Sequence, residues 1–287
     1  MKKEYLVFVS IIVVIAALAV IGRSLITGFA IKQIKGAFPE YKVAVGNAEI
    51  KSIDLISFSD IYIAKGDTNR YKIKELDIRV TPLTPFSRTI PKVSVDGCSI
   101  VVSSPKGKLK ELAQLPKTKA GPMFIIESLE INDLVLEIHT ADFDTTALIR
   151  ANAAIGKDIS YDAVVKLEKI NLGLLAKILG AGEKVDISGK MGGEISLSGK
   201  DFRIDAIKGE FKAIDPGGTV IIKDEEFINT LARQSKQPVE MIRDSFKFYN
   251  YTSGTLSVSK DKDAILLHLL MEGLQGKRDL TIALHGF

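Results

Sequence analysis

Tryptophan is absent from the 287-residue chain, cysteine occurs once, and there are three histidines and no long run of one charge. Each scarcity removes a class of function. A single cysteine, Cys98, excludes an internal disulfide framework, so a sizeable core must supply what bridges give small exported domains. Cys98 reads as a small buried hydrophobe on a strand, since a lipoprotein signal needs cysteine directly after the apolar N-terminal run. His139, His268 and His285 fall on separate strands without a second ligand at metal spacing, and H-E-x-x-H does not occur. The net charge of +4 is spread along the chain. Nucleic-acid binding requires clustered basic residues interleaved with aromatics, and that pattern is missing.

The glycine-rich stretch "LGAGEKVDISGKMGGEISLSG" fails as a phosphate loop, because Gly189-Lys190 is followed by Met191 and no glycine stands five residues earlier. Gly180 and Gly182 have no third partner at Val185 for a dinucleotide fingerprint, and turns between strands account for them. There is no G-x-S-x-G elbow, and acidic residues alternate with lysines as on a solvated face. Asn250-Tyr251-Thr252 is formally a glycosylation acceptor, and the terminal Phe287 has the form of a last barrel strand; both read as coincidence. The reading is of a non-enzyme with no cofactor and no metal.

What the chain does have is an apolar start. After Lys2 and Lys3, residues Tyr5 to Ile21 are interrupted only by Ser10. As a helix this run covers about 25 Å, within the spanning range. Tyr5, Val9, Ile12, Ile15, Leu18 and Ile21 are the expected anchor residues of a signal-anchor in segment 1–24. The two lysines stay cytoplasmic and place everything after Arg23 on the far side. Cleavage after Ala17-Leu18-Ala19 is the rival, disfavoured because that site lies inside the apolar run. Residues 25–40 read as an amphipathic connector lying along the membrane or against the first strands, ended by Pro39.

From residue 41 the hydrophobic period changes to two. Strands are expected over Tyr41–Gly46, Glu49–Lys65, Tyr71–Thr81, Lys92–Ser103, Met123–Thr140, Thr145–Ile155 and Asp158–Ile170, and then over Val185–Ser198, Phe202–Ala213, Thr219–Lys223, Phe246–Ser259, Ala264–Glu272 and Asp279–His285. In "SLEINDLVLEIH" the apolar phase slips at Asn132-Asp133, from Leu129 and Ile131 to Leu134, Leu136 and Ile138; a similar slip falls near Asp60. Helices are expected at Leu109–Leu115, at Leu172–Leu179, and in "KDEEFINTLARQSKQPVEMIRDSF", where Asp224 is an N-cap and Pro238 starts a second helix. The expected fold is mostly β: an N-terminal transmembrane helix, then residues 41–287 as one elongated, curved antiparallel sheet, groove or jellyroll-like, with a few short helices and a C-terminal unit at about 217–287. Phe246, Phe248, Leu256 and Val258, with Leu266 and Leu270 of the next strand, are the candidate lining of an apolar groove. The strand "AILLHLLME" is apolar on both faces, which predicts a layer on each side.

With its anchor followed by "YKVAVGNAEIKSIDLISFSDIYIAKG", the chain resembles the AsmA-like proteins of diderm bacteria. "SLEINDLVLEI", "DISGKMGGEISLSG" and "IDPGGTVIIKDEE" are similar to that family's strand-turn phrases. The closing portion from Ser245 most resembles the YdbH-type branch. The resemblance implies an inner-membrane-anchored periplasmic protein that moves phospholipid between membranes along an apolar groove, although the large members are several times longer. Expected partners are the lipid bilayer of the inner membrane, phospholipid acyl chains, and other envelope proteins or further copies joined through open sheet edges. Two alternatives stand beside it. One is an anchored adaptor or envelope-assembly factor whose apolar face is only its own core. The other is a component of a lipopolysaccharide-transport-like bridge.

Overall fold

A computed structural model describes residues 42–65, 69–81, 83–87, 89–104, 125–140, 144–178, 182–201 and 203–285. The six anchor residues and the expected helix at Leu109–Leu115 lie outside them. Among the described residues, no helix is long and apolar enough to cross a membrane.

The chain is mostly β. The described part begins with β1 (Lys42–Ser52), β2 (Leu55–Lys65), β3 (Asn69–Arg79), the short helix α1 (Thr84–Ser87), β4 (Thr89–Ile90), β5 (Lys92–Ser104), β6 (Ile125–Ile126), β7 (Ser128–Thr140), β8 (Asp144–Ile155) and β9 (Ile159–Asn171). It continues with α2 (Leu172–Ile178), β10 (Val185–Ile187), β11 (Lys190–Lys200), β12 (Arg203–Ile214), β13 (Gly218–Ile222), α3 (Glu225–Ser235), α4 (Val239–Phe246), β14 (Tyr249–Tyr251), β15 (Ser253–Asp261), β16 (Ala264–Gly273) and β17 (Gly276–His285).

One sheet of twelve strands, in the order β1-β2-β3-β5-β7-β8-β9-β11-β12-β15-β16-β17, takes in both ends of the described chain. At about 4.8 Å per strand it is about 53 Å across. Neighbours are antiparallel except β5 and β7, which run parallel. The sheet is therefore mixed rather than purely antiparallel, since a parallel neighbour needs a crossover connection and residues 105–124 provide its length. A three-stranded sheet, β10-β13-β14, and the parallel pair β4/β6 complete the β structure of the described residues.

Four expected strands divide. Glu49–Lys65 hides the β1/β2 hairpin, whose turn carries the apolar Ile53. Met123–Thr140 holds the short β6 as well as β7. Val185–Ser198 breaks at Gly189, whose φ of 105° sends β10 and β11 into different sheets. In Phe246–Ser259, Phe246 closes α4 and the strand proper starts at Tyr249. The predicted cap holds: the Phe227 amide donates to Asp224 Oδ1 at 2.8 Å, and Glu225 and Glu226 fill the first turn of α3. Pro238 precedes α4 as its N-cap. Arg243 of α4 donates to both carboxylate oxygens of Glu225, Nε to Oε1 at 3.1 Å and Nη2 to Oε2 at 2.7 Å, clamping the two helices together.

Both phase slips fall on residues in the left-handed region, Asp60 (φ 52°) and Asp133 (φ 51°), with Gly97 (φ 59°) between them. Aspartate is one of the few side chains that tolerates this conformation. Gly46 faces Asp60 so closely that a Cβ there would stand 2.8 Å from the Asp60 Cβ, and a Cβ on Gly97 would stand 3.0 Å from that of Lys74. Regular pairing is interrupted at these residues on each of the first five strands of the sheet. Asp133 then takes Arg150 of β8 in an ion pair, with Oδ1 accepting from Nε at 3.0 Å and Nη2 at 2.9 Å. A seam of irregular residues, Gly46, Asp60, Lys74, Gly97 and Asp133, thus crosses five strands and meets Arg150 of β8, whose own alternation runs on unbroken. Each of the five strands loses one step of alternation there, which returns its apolar side chains to the face they occupied before it.

Candidate functional site: the apolar face of the large sheet

The cross-strand register shows what the seam achieves. A single row of paired residues runs through all twelve strands: Val43, Ile63, Tyr71, Ile100, Leu136, Ala147, Leu167, Gly193, Phe211, Leu256, Leu269 and Leu280. Every member is apolar or glycine, so the sheet presents one uninterrupted hydrophobic face. The opposite face is mainly polar, with Val101, Val135, Leu148 and Val164 among its members. It carries Lys51 paired to Glu75, Lys92 to Glu130, and His268 Nε2 to Asp279 Oδ1 at 2.8 Å. The hydrogen bond from Lys92 holds the Glu130 carboxyl below the usual carboxylate range, and that from Lys51 does the same for Glu75. Asp144, at 2.7 Å from Nδ1, raises the His139 imidazole above its ordinary value, with Glu137 adding to it. A depression of about 340 Å³ on this face lies between Arg150, Asn152, Asp162, Ser196 and Lys208. Among the described residues no group of three His, Cys, Asp or Glu side chains could hold a metal ion.

The apolar face is covered at one end. Met191, Phe211, Val258, Leu269, Met271 and Leu280 of the large sheet are buried in one cluster with Ile228, Leu231, Ile242 and Phe246 of α3 and α4 and with Val220, Tyr249 and Tyr251 of the small sheet. Tyr249 and Tyr251 are fully buried and hydrogen-bonded, donating to the carbonyls of Gly276 and Ser188 at 2.7 Å each. Burial pushes the Tyr251 hydroxyl up to about 12. The Arg278 guanidinium stands 4.9 Å above the Tyr249 ring. Over the last six strands the face is the floor of an ordinary two-layer core.

The first six strands of the sheet differ. The core cluster takes no residue from β1, β2, β3, β5, β7 or β8. Of their six row members Val43, Ile63, Tyr71, Ile100 and Leu136 are partly exposed and Ala147 is buried. Phe58, Ile61, Val93 and Cys98 of the same face are buried as well. Desolvation raises the Cys98 thiol, in keeping with a packing role.

The six groove candidates therefore separate. Leu256 and Val258 lie on the apolar face, but beneath the helices. Phe246 is a helix residue buried in the same core. Phe248, 55% exposed, sits in the turn between α4 and β14, where its carbonyl accepts from Gln275. Leu266 and Leu270 pair with Ser259 and Thr255 on the polar face, and no second layer covers Leu270. The layer expected on both sides of "AILLHLLME" is present only over Ile265, Leu267, Leu269 and Met271. The part of the face outside the described second layer lies in strands whose residues alternation alone did not single out as lining. The two phase slips were the signal that could have found it.

No family model matches the sequence, and no curated protein is similar enough to count as a relative.

Proposed function

We propose that this chain is a membrane-anchored, AsmA-like lipid-binding protein of the periplasmic side of the inner membrane. In this reading the apolar face of the first six strands of the large sheet, shaped into a groove, takes phospholipid acyl chains. The observation that supports the reading is the unbroken apolar row across twelve strands, whose members on the first five strands are partly exposed and outside the core cluster under the helices. A sheet needs one apolar face to fold against a second layer; a face that continues past that layer offers surface to something else. Acyl chains suit it, because each buried CH₂ contributes about 0.8 kcal/mol and needs no placed polar group. That also fits a chain whose sequence offers no catalytic constellation. The N-terminal apolar run supplies the transmembrane anchor, and the helices at the C-terminal end close the groove there.

The covered half favours a second reading, in which the chain is an anchored adaptor or assembly factor and its apolar face is all core. Purification of the full chain from a diderm host in a lipid-free detergent, followed by mass spectrometry of extracted lipid, separates the two. Stoichiometric phospholipid is expected. A protein that is folded and lipid-free supports the adaptor.

A further inference from the structure

The end of the strands opposite the chain's entry point carries exposed aliphatic residues at regular intervals. Ile53, in the β1/β2 turn, is 96% exposed; Leu83, between β3 and β5, is 69%; Ile125 of β6 is 58%; Ile159, at the start of β9, is 42%. Register places all four at one end of the sheet, since Arg79 pairs with Leu55 and with Lys92, Val93 with Leu129, and Ile155 with Ile159. Hydrogen bonds from Val80 N to Asp54 O (2.8 Å), Glu127 N to Ile90 O (2.9 Å) and Ile155 N to Glu127 O (2.6 Å) join these connections into one rim. Along it the four side chains are spread over about 25 Å, roughly one for every two strands. They border the half of the apolar face that the described helices and small sheet do not cover.

We propose that this rim rests in the surface of the phospholipid bilayer that holds the chain's own N-terminal anchor, so that the open groove meets the membrane at its lip. The inference rests on the anchor of the proposed function. Reach supports it. Twenty residues separate Ile21 from Lys42. Fully extended they span at most about 66 Å. The distance to bridge is the length of β1 from Lys42 to the rim, about 35 Å. Isolated aliphatic tips on successive turns enter a fluid interface without shape complementarity. A second copy is a poorer occupant, because four side chains in a line fall well short of the roughly 800 Å² per partner of a stable interface.

The absence of tryptophan makes the test direct. Full-length Ile53→Trp is reconstituted into phosphatylethanolamine and phosphatidylglycerol vesicles with or without brominated acyl chains. Its emission is expected to fall at least two-fold with bromolipid. Leu274→Trp, at a fully exposed turn on the opposite end, is expected to be unaffected. Leu83→Trp repeats the measurement should Ile53→Trp fold poorly. A chain that stays in the vesicles after alkaline washing but shows no more quenching at 53 or 83 than at 274 overturns the rim alone. A chain that washes off overturns the anchor reading and this inference together.

Discussion

Replacing Gly217 by valine is expected to cost about 4 kcal/mol or more and to unravel the C-terminal unit, the largest loss of stability anticipated for a single change here. Gly217 has a φ of 88°, and a Cβ on it would stand 2.0 Å from the Tyr251 carbonyl oxygen and 2.8 Å from the Thr252 Cα. These are backbone atoms of the strand that carries Tyr251, so no side-chain rotation relieves the overlap. Left-handed strain in a β-branched residue adds to it. The consequence spreads because Tyr251 threads a slot walled by glycines and donates to Ser188 O, joining the small sheet to the start of β11. Tyr251→Phe, which keeps the ring and deletes one buried hydrogen bond, is expected to cost only about 1 kcal/mol. Denaturant unfolding of the two variants measures the contrast. Equal, mild losses would mean that the slot is not the joint between layers.

The second large effect concerns lipid rather than stability. Leu136→Asp is expected to lower co-purifying phospholipid at least ten-fold while leaving the chain folded. Leu136 stands midway along the apolar row, on β7, partly exposed and outside the core cluster. A carboxylate at this partly exposed position stays hydrated in the free protein, so folding costs little. On the proposed reading it must be desolvated when acyl chains bind over it, which costs several kcal/mol. The same substitution at Leu269, in the same row but buried under the helices, places the charge inside the core and should unfold the C-terminal unit. One row thus yields two phenotypes, divided where the second layer begins. Lipid retained by Leu136→Asp would place the bound lipid elsewhere.

How much of this could be read from residues alone varies with range. Local chemistry was legible: Asp224 as a cap, Pro238 before a helix, and the phase slips at Asp60 and Asp133 all reflect backbone preferences acting within a few residues. Turns carrying apolar residues were not, since Ile53 continued a hydrophobic run and masked the β1/β2 hairpin. Which strands share a sheet was also hidden. β10 and β11 are three residues apart yet diverge at Gly189, and nothing in their alternation records it. Of the six groove candidates only Phe246, Leu256 and Val258 come together, for a related reason. Alternation places Phe246 and Leu256 in one series only if the segment is one strand, whereas helix α4 consumes its first part. Pairing Leu266 and Leu270 with the lining likewise required an apolar side chain to mark a covered face, and Leu270 is an exposed leucine on a polar one.

The central claim is that the apolar face of the first six strands of the sheet holds lipid and that of the last six does not. Photo-crosslinking from p-benzoylphenylalanine at positions 136 and 269 of the full chain, irradiated in native membranes, reads this residue by residue. The account predicts a phospholipid adduct at 136 and none at 269. No adduct at 136, or equal adducts at both, would contradict it.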